Sequence, residues 1–429
     1  MVVNRLISRY ARYLNHRLMS FDVAEGRVSF PEPDPDKRYL LYLHIPFCVV
    51  LCPFCSFHRV EFREDRATKY FSALRQEIQQ VSDQGYRFGE LYVGGGTPTV
   101  LPEQLAETIA FVSSLHPLTA VSVETNPLDL DTEKLAQLKD VGVNRLSVGV
   151  QSFDDNLLQE MGRFEKYGSG EQIRNELSGI AGFFDTTNVD MIFNFPHQSE
   201  EQLQADLVML TDRMSVDQVS WYPLMTTAST ARPMSRKMGS VDYSRERTFY
   251  EIIAGHMLNA GYERSSAWCF SRRPGLFDEY IIEHEEYVGL GSGSFSYLDG
   301  SIYGNTFSIN HYLQLIASGN LSVVRERGLS MKEQMRYYLL MQLFSGHLEL
   351  SVAEERFDGL FERTVWRDIK GLQLIGAFSE HGRDLRLSES GYYLWVVLMR
   401  EFFSGVNGFR DDMRRDISRE IRTSPTNFG

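Results

Sequence analysis

Three of the four cysteines in this 429-residue chain fall within eight residues, as Cys48-Val-Val-Leu-Cys52-Pro-Phe-Cys55. A structural zinc site usually brings four ligands as two separated pairs. A disulfide framework needs an even count in a small secreted chain. Neither pattern is present. Three thiolates on one tight loop can instead hold three irons of a cubane [4Fe–4S] cluster, which normally takes four cysteines. The fourth iron then lacks a protein ligand and is open to a small molecule. Chance clustering is the competing reading, and the flanking residues weigh against it. Two nearby or isolated groups are further candidates. Cys269, between Trp268 and Phe270, is either a substrate-site thiol or the commoner buried, inert cysteine. His58, just after the cysteine loop, faces either substrate or solvent.

The elements that must position these residues are legible from residue 38 onward. Residues 39–45 are a nearly continuous apolar run, as a buried parallel strand requires, and the cysteine loop follows directly. Further strands are predicted at 91–93, 119–124, 145–150, 188–193 and 218–222. Helices are predicted at 66–84, 102–115, 132–141, 154–161, 170–183 and 200–212. Six strand–helix repeats predict an α/β fold whose parallel sheet curls into a partial (β/α)6 TIM-type barrel, since closure would need eight. Ligands in such folds bind at the carboxyl ends of the strands, and each candidate motif sits at one.

After residue 222 the order loosens. A helix is predicted over 240–262, and residues 288–305 read as a glycine-rich stretch. Helical patterns at 332–344, 352–357 and 360–372, a strand at 384–387 and a helix at 391–403 predict a C-terminal helical, winged-helix-like domain. Covering the open barrel is its expected role. The expected organisation is an N-terminal segment at 1–37, with an amphipathic helix over 4–20 and a linker marked by Pro31, Pro33 and Pro35. A core at 38–305, the C-terminal domain at 306–405 and a charged, mobile tail at 406–429 complete it.

The stretches Tyr42-Leu-His-Ile-Pro-Phe-Cys48 and Phe54-Cys55 carry a family resemblance. The sequence resembles the radical S-adenosylmethionine (SAM) enzymes, in the HemN-like branch of oxygen-independent coproporphyrinogen III oxidases. The resemblance implies that Cys48, Cys52 and Cys55 hold a [4Fe–4S] cluster whose open iron chelates SAM. It also implies an external electron donor such as a flavodoxin or ferredoxin, and cleavage of SAM to a 5′-deoxyadenosyl radical. Gly94-Gly95-Gly96-Thr97-Pro98 matches the motif that contacts the amino-acid end of SAM. Glycines there also suit a tight strand-to-helix turn. Glu124 matches the acid that accepts from the SAM amine, a strong charge-assisted contact; helix capping is the alternative. Gln151 matches a residue facing the ribose or carboxylate, Arg163 the arginine that pairs with the carboxylate, and Asp190 the carboxylate near the ribose. Tyr42 and Phe54 are aromatic members of the site, with core packing as the competing reading for both.

On reaction type the resemblance divides. Coproporphyrinogen oxidases typically carry a fourth cysteine two residues after the third, where this chain has Phe57. The related haem chaperones carry an H-N-x-x-Y-W motif, absent from residues 277–291. A third branch uses a second SAM, as in methyltransferases and anaerobic haem-degrading enzymes. The expected activity is oxidative decarboxylation of a tetrapyrrole by a radical SAM oxidoreductase, with methyl transfer, haem opening and haem chaperoning as alternatives.

Composition narrows the partners. The net charge of −13, from 44 basic and 57 acidic residues, argues against a nucleic-acid surface. No apolar run reaches the roughly 18 residues that span a bilayer, and residues 1–10 lack the apolar core of a signal peptide. The expected location is the cytoplasm, whose reducing conditions keep thiols available for a metal cluster.

Overall fold

A computed structural model of the chain describes residues 21–23, 28–214, 216–226, 231, 234–236, 238–273, 284–380 and 383–423. The helix predicted over 4–20, the last six residues of the expected tail and part of the 277–291 segment lie outside them. The six predicted strands form as β1 (Tyr39–Ile45), β2 (Phe88–Gly95), β3 (Ala120–Thr125), β4 (Arg145–Gln151), β5 (Thr186–Phe193) and β6 (Gln218–Pro223). They pair in parallel and in sequence order, each with the next. Every residue of β1 is buried, as a strand covered on both faces requires.

The outer helices are α1 (Glu64–Asp83), α2 (Pro102–Leu115), α3 (Thr132–Asp140), α4 (Asp155–Glu160), α5 (Gly170–Gly179) and α6 (Glu200–Val208). In α1 the apolar residues Tyr70, Leu74, Ile78 and Val81 are all buried, the face that helical periodicity selects. Side chains of Asp131, Asp154, Ser169 and Ser199 cap α3, α4, α5 and α6, so each helix starts where a short polar residue satisfies its free N–H groups.

The sheet continues past the six repeats. The stretch 288–305, expected only as glycine-rich, forms three strands. These follow α7 (Glu246–Asn259) and the short β7 (Cys269–Ser271) as β8 (Tyr287–Leu290), β9 (Phe295–Leu298) and β10 (Ser301–Asn305). Strand β8 lies parallel to β1 on its free edge, and β7 runs antiparallel beside β6. With β11 (Val323–Gly328), after α8 (Ile309–Ala317), and the two-residue end strands Asp22–Val23 and Glu263–Arg264, the sheet has 13 strands among the described residues. Buried Glu77 of α1 ties this extension down. It accepts from Gly291 N at 2.9 Å, Tyr312 Oη at 3.0 Å and the Ser322 hydroxyl.

The winged-helix-like module is α9 (Met331–Phe344), α10 (Leu350–Arg356) and α11 (Phe361–Leu374) with a small sheet of His347–Glu349, Asp384–Leu387 and Phe378–Glu380. The final helix, predicted to end at 403, runs as α12 over Glu389–Thr423. Residues 406–423, expected as a mobile tail, continue it. In that stretch Phe409 and Met413 are buried, in an apolar cluster with Phe307. Among the described residues, no helix is long and apolar enough to cross a membrane.

Candidate active site

The cysteine loop leaves the carboxyl end of β1. A two-residue strand, Phe47–Cys48, pairs in parallel with Val60–Glu61, and Phe62 N donates to Cys48 O at 2.9 Å. Both ends of the loop are thereby fixed. Cys55 N donates to Cys52 O at 3.3 Å, closing a turn between the second and third cysteines. Arg59 then fastens the carbonyls of Cys52 and Cys55. The glycine motif sits against the loop: Gly96 N donates to Ile45 O and Thr97 N to Phe47 O, each at 2.8 Å. Close approach explains the glycines. A Cβ on Gly96 would lie 2.7 Å from Phe47 O, and Gly95 adopts φ +121° against the His44 ring.

All the cysteines are free thiols. The Thr97 hydroxyl donates to Cys48 Sγ at 3.6 Å and Arg163 Nη1 to Cys52 Sγ at 3.8 Å. Burial pushes the Cys48 thiol up, opposed by the Thr97 bond and by the charges of Lys166 and Arg59. Among the described residues, no three His, Cys, Asp or Glu side chains converge on a point that would hold one metal ion. A cubane makes a different demand, because each thiolate binds a separate iron. Three thiols on one clamped loop, with Arg59, Arg163 and Lys166 beside them to offset the charge of an anionic cluster, fit that demand. Among the described residues, the buried Nε atoms of Arg59 and Arg163 have no hydrogen-bond partner.

The remaining candidates line the carboxyl ends of β2 to β5. Glu124 accepts from Gly95 N and Tyr92 Oη, both at 3.0 Å, and burial pushes its carboxyl up. Asp190 accepts from the Ser147 hydroxyl at 2.9 Å and Asn188 Nδ2 at 2.8 Å. Burial and then the Glu124 charge raise its pKa to about 7. Arg163 reaches from Cys52 to the Gly149 carbonyl and lies over the Tyr167 ring at 4.2 Å. It therefore joins the cysteine loop to the end of β4. Gln151 is held at φ +79°, strained for a non-glycine residue. Its neighbours supply the constraint: buried Asp206 accepts from Ser152 Oγ and Phe153 N, each at 2.8 Å.

Tyr42 stacks on Tyr92 with centroids 6.0 Å apart and bonds His44 Nδ1 at 3.0 Å. Phe54 packs edge-on against Phe195 in an apolar cluster that includes Cys52, Leu157 and Met161. That contact makes Phe54 the apolar backing of the loop. His58 is buried. Its ring meets Ser292 Oγ at 3.2 Å and Phe307 at a centroid distance of 4.5 Å. Cys269 is fully buried in β7 and accepts from Ser220 Oγ at 3.7 Å, the environment of an unreactive thiol.

The chain also builds a polar inner face that the motif reading missed. Arg145 of β4 donates to Ser122 Oγ on β3 and to Gln218 Oε1 on β6, at 2.8 Å each. Because β5 lies between β4 and β6, the second contact must span the concave side of the sheet. Asn188 bonds Ser147 and Ser220, extending the row. Barrel interiors are ordinarily filled by branched apolar residues; this one is hydrophilic below the candidate site. The signal was present in sequence as polar residues at period two, 122/124, 145/147, 188/190 and 218/220, inside otherwise apolar strands.

Two outcomes follow from this geometry. If Glu124 accepts from the SAM amine, as the resemblance implies, Glu124→Ala should weaken SAM binding roughly 10- to 150-fold, the effect of losing about 1.5–3 kcal/mol from one charge-assisted hydrogen bond. Iron content should stay near wild type. Calorimetric titration with SAM checks it, and unchanged affinity would return Glu124 to a purely structural role. Asp190→Asn should flatten part of the pH dependence of stability. The folded-state pKa of Asp190 is raised to about 7 from 3.8, so its contribution is present below the lower value and is lost as pH rises through the higher one. Urea melts between pH 4 and 8 should show the wild type losing up to about 1.4 kcal/mol per pH unit relative to the variant.

Comparison with known proteins agrees with the family resemblance and the partial barrel. The sequence model of the Radical SAM superfamily matches residues 42–210. The haem chaperone HemW of Lactococcus lactis is 31% identical over 377 residues, covering 84% of this chain and 96% of the relative. The oxygen-independent coproporphyrinogen III oxidase of Cereibacter sphaeroides is 27% identical, covering 84% and 86%. Among solved structures, coproporphyrinogen III oxidase (HemN) from Escherichia coli superposes with a TM-score of 0.72 at 23% identity, covering 86% of this chain and 91% of that one. That likeness supports the fold. Three cysteines on a clamped loop at the mouth of a six-repeat partial barrel, with relatives matched over nearly their whole length, lead to one conclusion: the chain belongs to the radical SAM superfamily, in its HemN-like family, whose cofactors are a [4Fe–4S] cluster and SAM.

Proposed function

We propose that this protein is a radical SAM oxidoreductase that acts on a tetrapyrrole, in the manner of the oxidative decarboxylation of coproporphyrinogen III. The observation that supports the reading is a row of Glu124, Gln151 and Asp190 at the carboxyl ends of neighbouring strands β3, β4 and β5, with Arg163 bonded to Cys52 of the cysteine loop and to the end of β4, above a hydrophilic interior. When bound and reduced, the cluster supplies one-electron cleavage of SAM. The residues of the chain do the rest. Cys48, Cys52 and Cys55 hold three irons. Glu124 accepts from the SAM amine, Arg163 offers its guanidinium to the carboxylate, and Asp190 and Gln151 face the ribose. The electron comes from an external donor such as a flavodoxin or ferredoxin, in the cytoplasm.

A second reading is haem chaperoning without turnover. It is favoured by the relatives at 30–31% identity, which are haem chaperones. The histidines beside the loop do not favour it: His44 uses both ring nitrogens, on Tyr42 Oη and His58 O, and His58 is bonded to Ser292. Anaerobic incubation of the reconstituted protein with SAM, dithionite and coproporphyrinogen III, followed by mass spectrometry, decides between them. Loss of carboxyl groups as CO2 supports the oxidase. Methylated or ring-opened product supports the two-SAM alternatives. Stoichiometric haem binding without SAM cleavage supports the chaperone.

A further inference from the structure

The far end of α12 reaches the cysteine loop. Arg414 Nη2 donates to Ser56 O at 3.0 Å and Phe57 O at 2.6 Å, the two carbonyls that follow Cys55. Arg414 Nη1 is held by Asp411 Oδ1 at 2.9 Å, which fixes the plane of the guanidinium. One turn earlier, Arg410 lies over the Phe57 ring at 4.9 Å. Phe409 anchors the same stretch against Phe21 and Phe295, at centroid distances of 4.2 and 5.7 Å. On the other side of the loop Arg59 holds the carbonyls of Cys52 and Cys55. Two guanidiniums, one local and one from more than 350 residues away, thus secure four of the five carbonyls from Cys52 to Phe57 other than that of Pro53.

We propose that Arg414 is a positioning residue for the third cluster ligand, and that α12 is thereby part of the active site. Three consequences follow from elementary physics. Forked donation to two successive carbonyls fixes the path of the chain just after Cys55, so the thiolate is presented without an ordering cost when iron binds. A guanidinium beside an anionic cluster favours the more negative, reduced state, because hydrogen bonding and nearby charge tune such clusters. Finally, both effects depend on α12 being docked, so cluster behaviour reports whether the C-terminal helix is seated.

The inference rests on the assignment of the three cysteines to the cluster, and the test separates the two. Wild type, Arg414→Gln and Arg414→Lys are reconstituted as full chains under anaerobic conditions. Arg415→Gln is the control, on the same helix, with a half-exposed to exposed ion pair to Asp412 that does not touch the loop. Two readouts other than activity are taken: the rate of iron loss to a chelator, and the midpoint potential of the cluster. Arg414→Gln should lose iron about tenfold faster, the factor expected for one lost charge-assisted contact, and its midpoint should move negative. Arg414→Lys keeps the charge without the fork, so its midpoint should stay near wild type while its iron loss remains faster. Arg415→Gln should match wild type in both. If wild type holds no iron, the cysteine assignment fails. If wild type holds iron and both Arg414 variants match it in rate and potential, the positioning role is overturned. A faster loss with an unchanged midpoint in Arg414→Gln would also overturn it, in favour of general destabilisation.

Discussion

Replacing any one of Cys48, Cys52 and Cys55 with alanine should abolish the cluster and all reductive cleavage of SAM. On the proposed assignment each thiolate holds a different iron, and three is already one fewer than a cubane ordinarily takes. No neighbouring group can substitute. His58 is buried and bonded to Ser292, and Cys269 lies fully buried in β7 against Ser220. The loop backbone should survive, because its anchors are main-chain bonds at Phe47–Cys48 and Val60–Glu61 and the Arg59 contacts. Anaerobic reconstitution followed by iron analysis and visible absorption checks the expectation. Cys269→Ala should keep wild-type iron and chromophore. A normal chromophore in any of the three loop variants, or its loss in Cys269→Ala, would show the ligand set to be wrong.

The second large effect is on stability. Arg400 of α12 pairs with Glu246 of α7, and their side chains are only 5% and 1% exposed. Tyr393 Oη also donates to Glu246, at 3.2 Å. Burial pushes the Glu246 carboxyl up, and the Arg400 charge opposes that shift. Arg400→Ala leaves a buried carboxylate without its counter-charge, which costs about 3–5 kcal/mol. The loss should also loosen α12, whose Phe403 packs on Trp268 of the barrel and whose Trp395 donates to Leu340 O. Urea denaturation measures the first effect and limited proteolysis near residue 400 the second. Arg400 also pairs with Glu401 at 2.9 Å, both side chains buried, so removing all three charges, as Arg400→Met with Glu246→Gln and Glu401→Gln, should recover much of the loss, since a whole buried ion cluster costs far less to remove than one member of it. Equal destabilisation by the single and the triple variant would mean that packing, and not the charge cluster, holds the helix.

The legible parts of this protein were those with local signals. The β1 run and the Tyr70/Leu74/Ile78/Val81 face of α1 depend on residues close in sequence. The spacing of Cys48, Cys52 and Cys55 marked the loop as a candidate ligand set, and strand ends marked Glu124 and Asp190 as candidates beside it. What stayed hidden was long-range. Nothing near Tyr287–Leu290 announces that it will pair with β1, about 250 residues earlier, because a four-residue strand with glycine carries little periodicity. The reach of α12 was missed because the charged residues from 411 onward look like a solvated tail, while the partners of Arg414 are two carbonyls of the cysteine loop. The role of Arg145 was hidden for a related reason. A lone arginine opening a strand looks like an edge residue until β5 and β6 place Gln218 across the concave face.

The most direct measurement is the yield of 5′-deoxyadenosine from SAM, under strict anaerobiosis with dithionite, by the reconstituted full-length chain carrying about four irons. Repeating it with coproporphyrinogen III present ties the yield to substrate. The account predicts release in the wild type, no release when any of the three loop cysteines is alanine, and a rise in yield with the tetrapyrrole. A chain that holds its cluster and binds SAM, yet releases no 5′-deoxyadenosine with or without the tetrapyrrole, would contradict it.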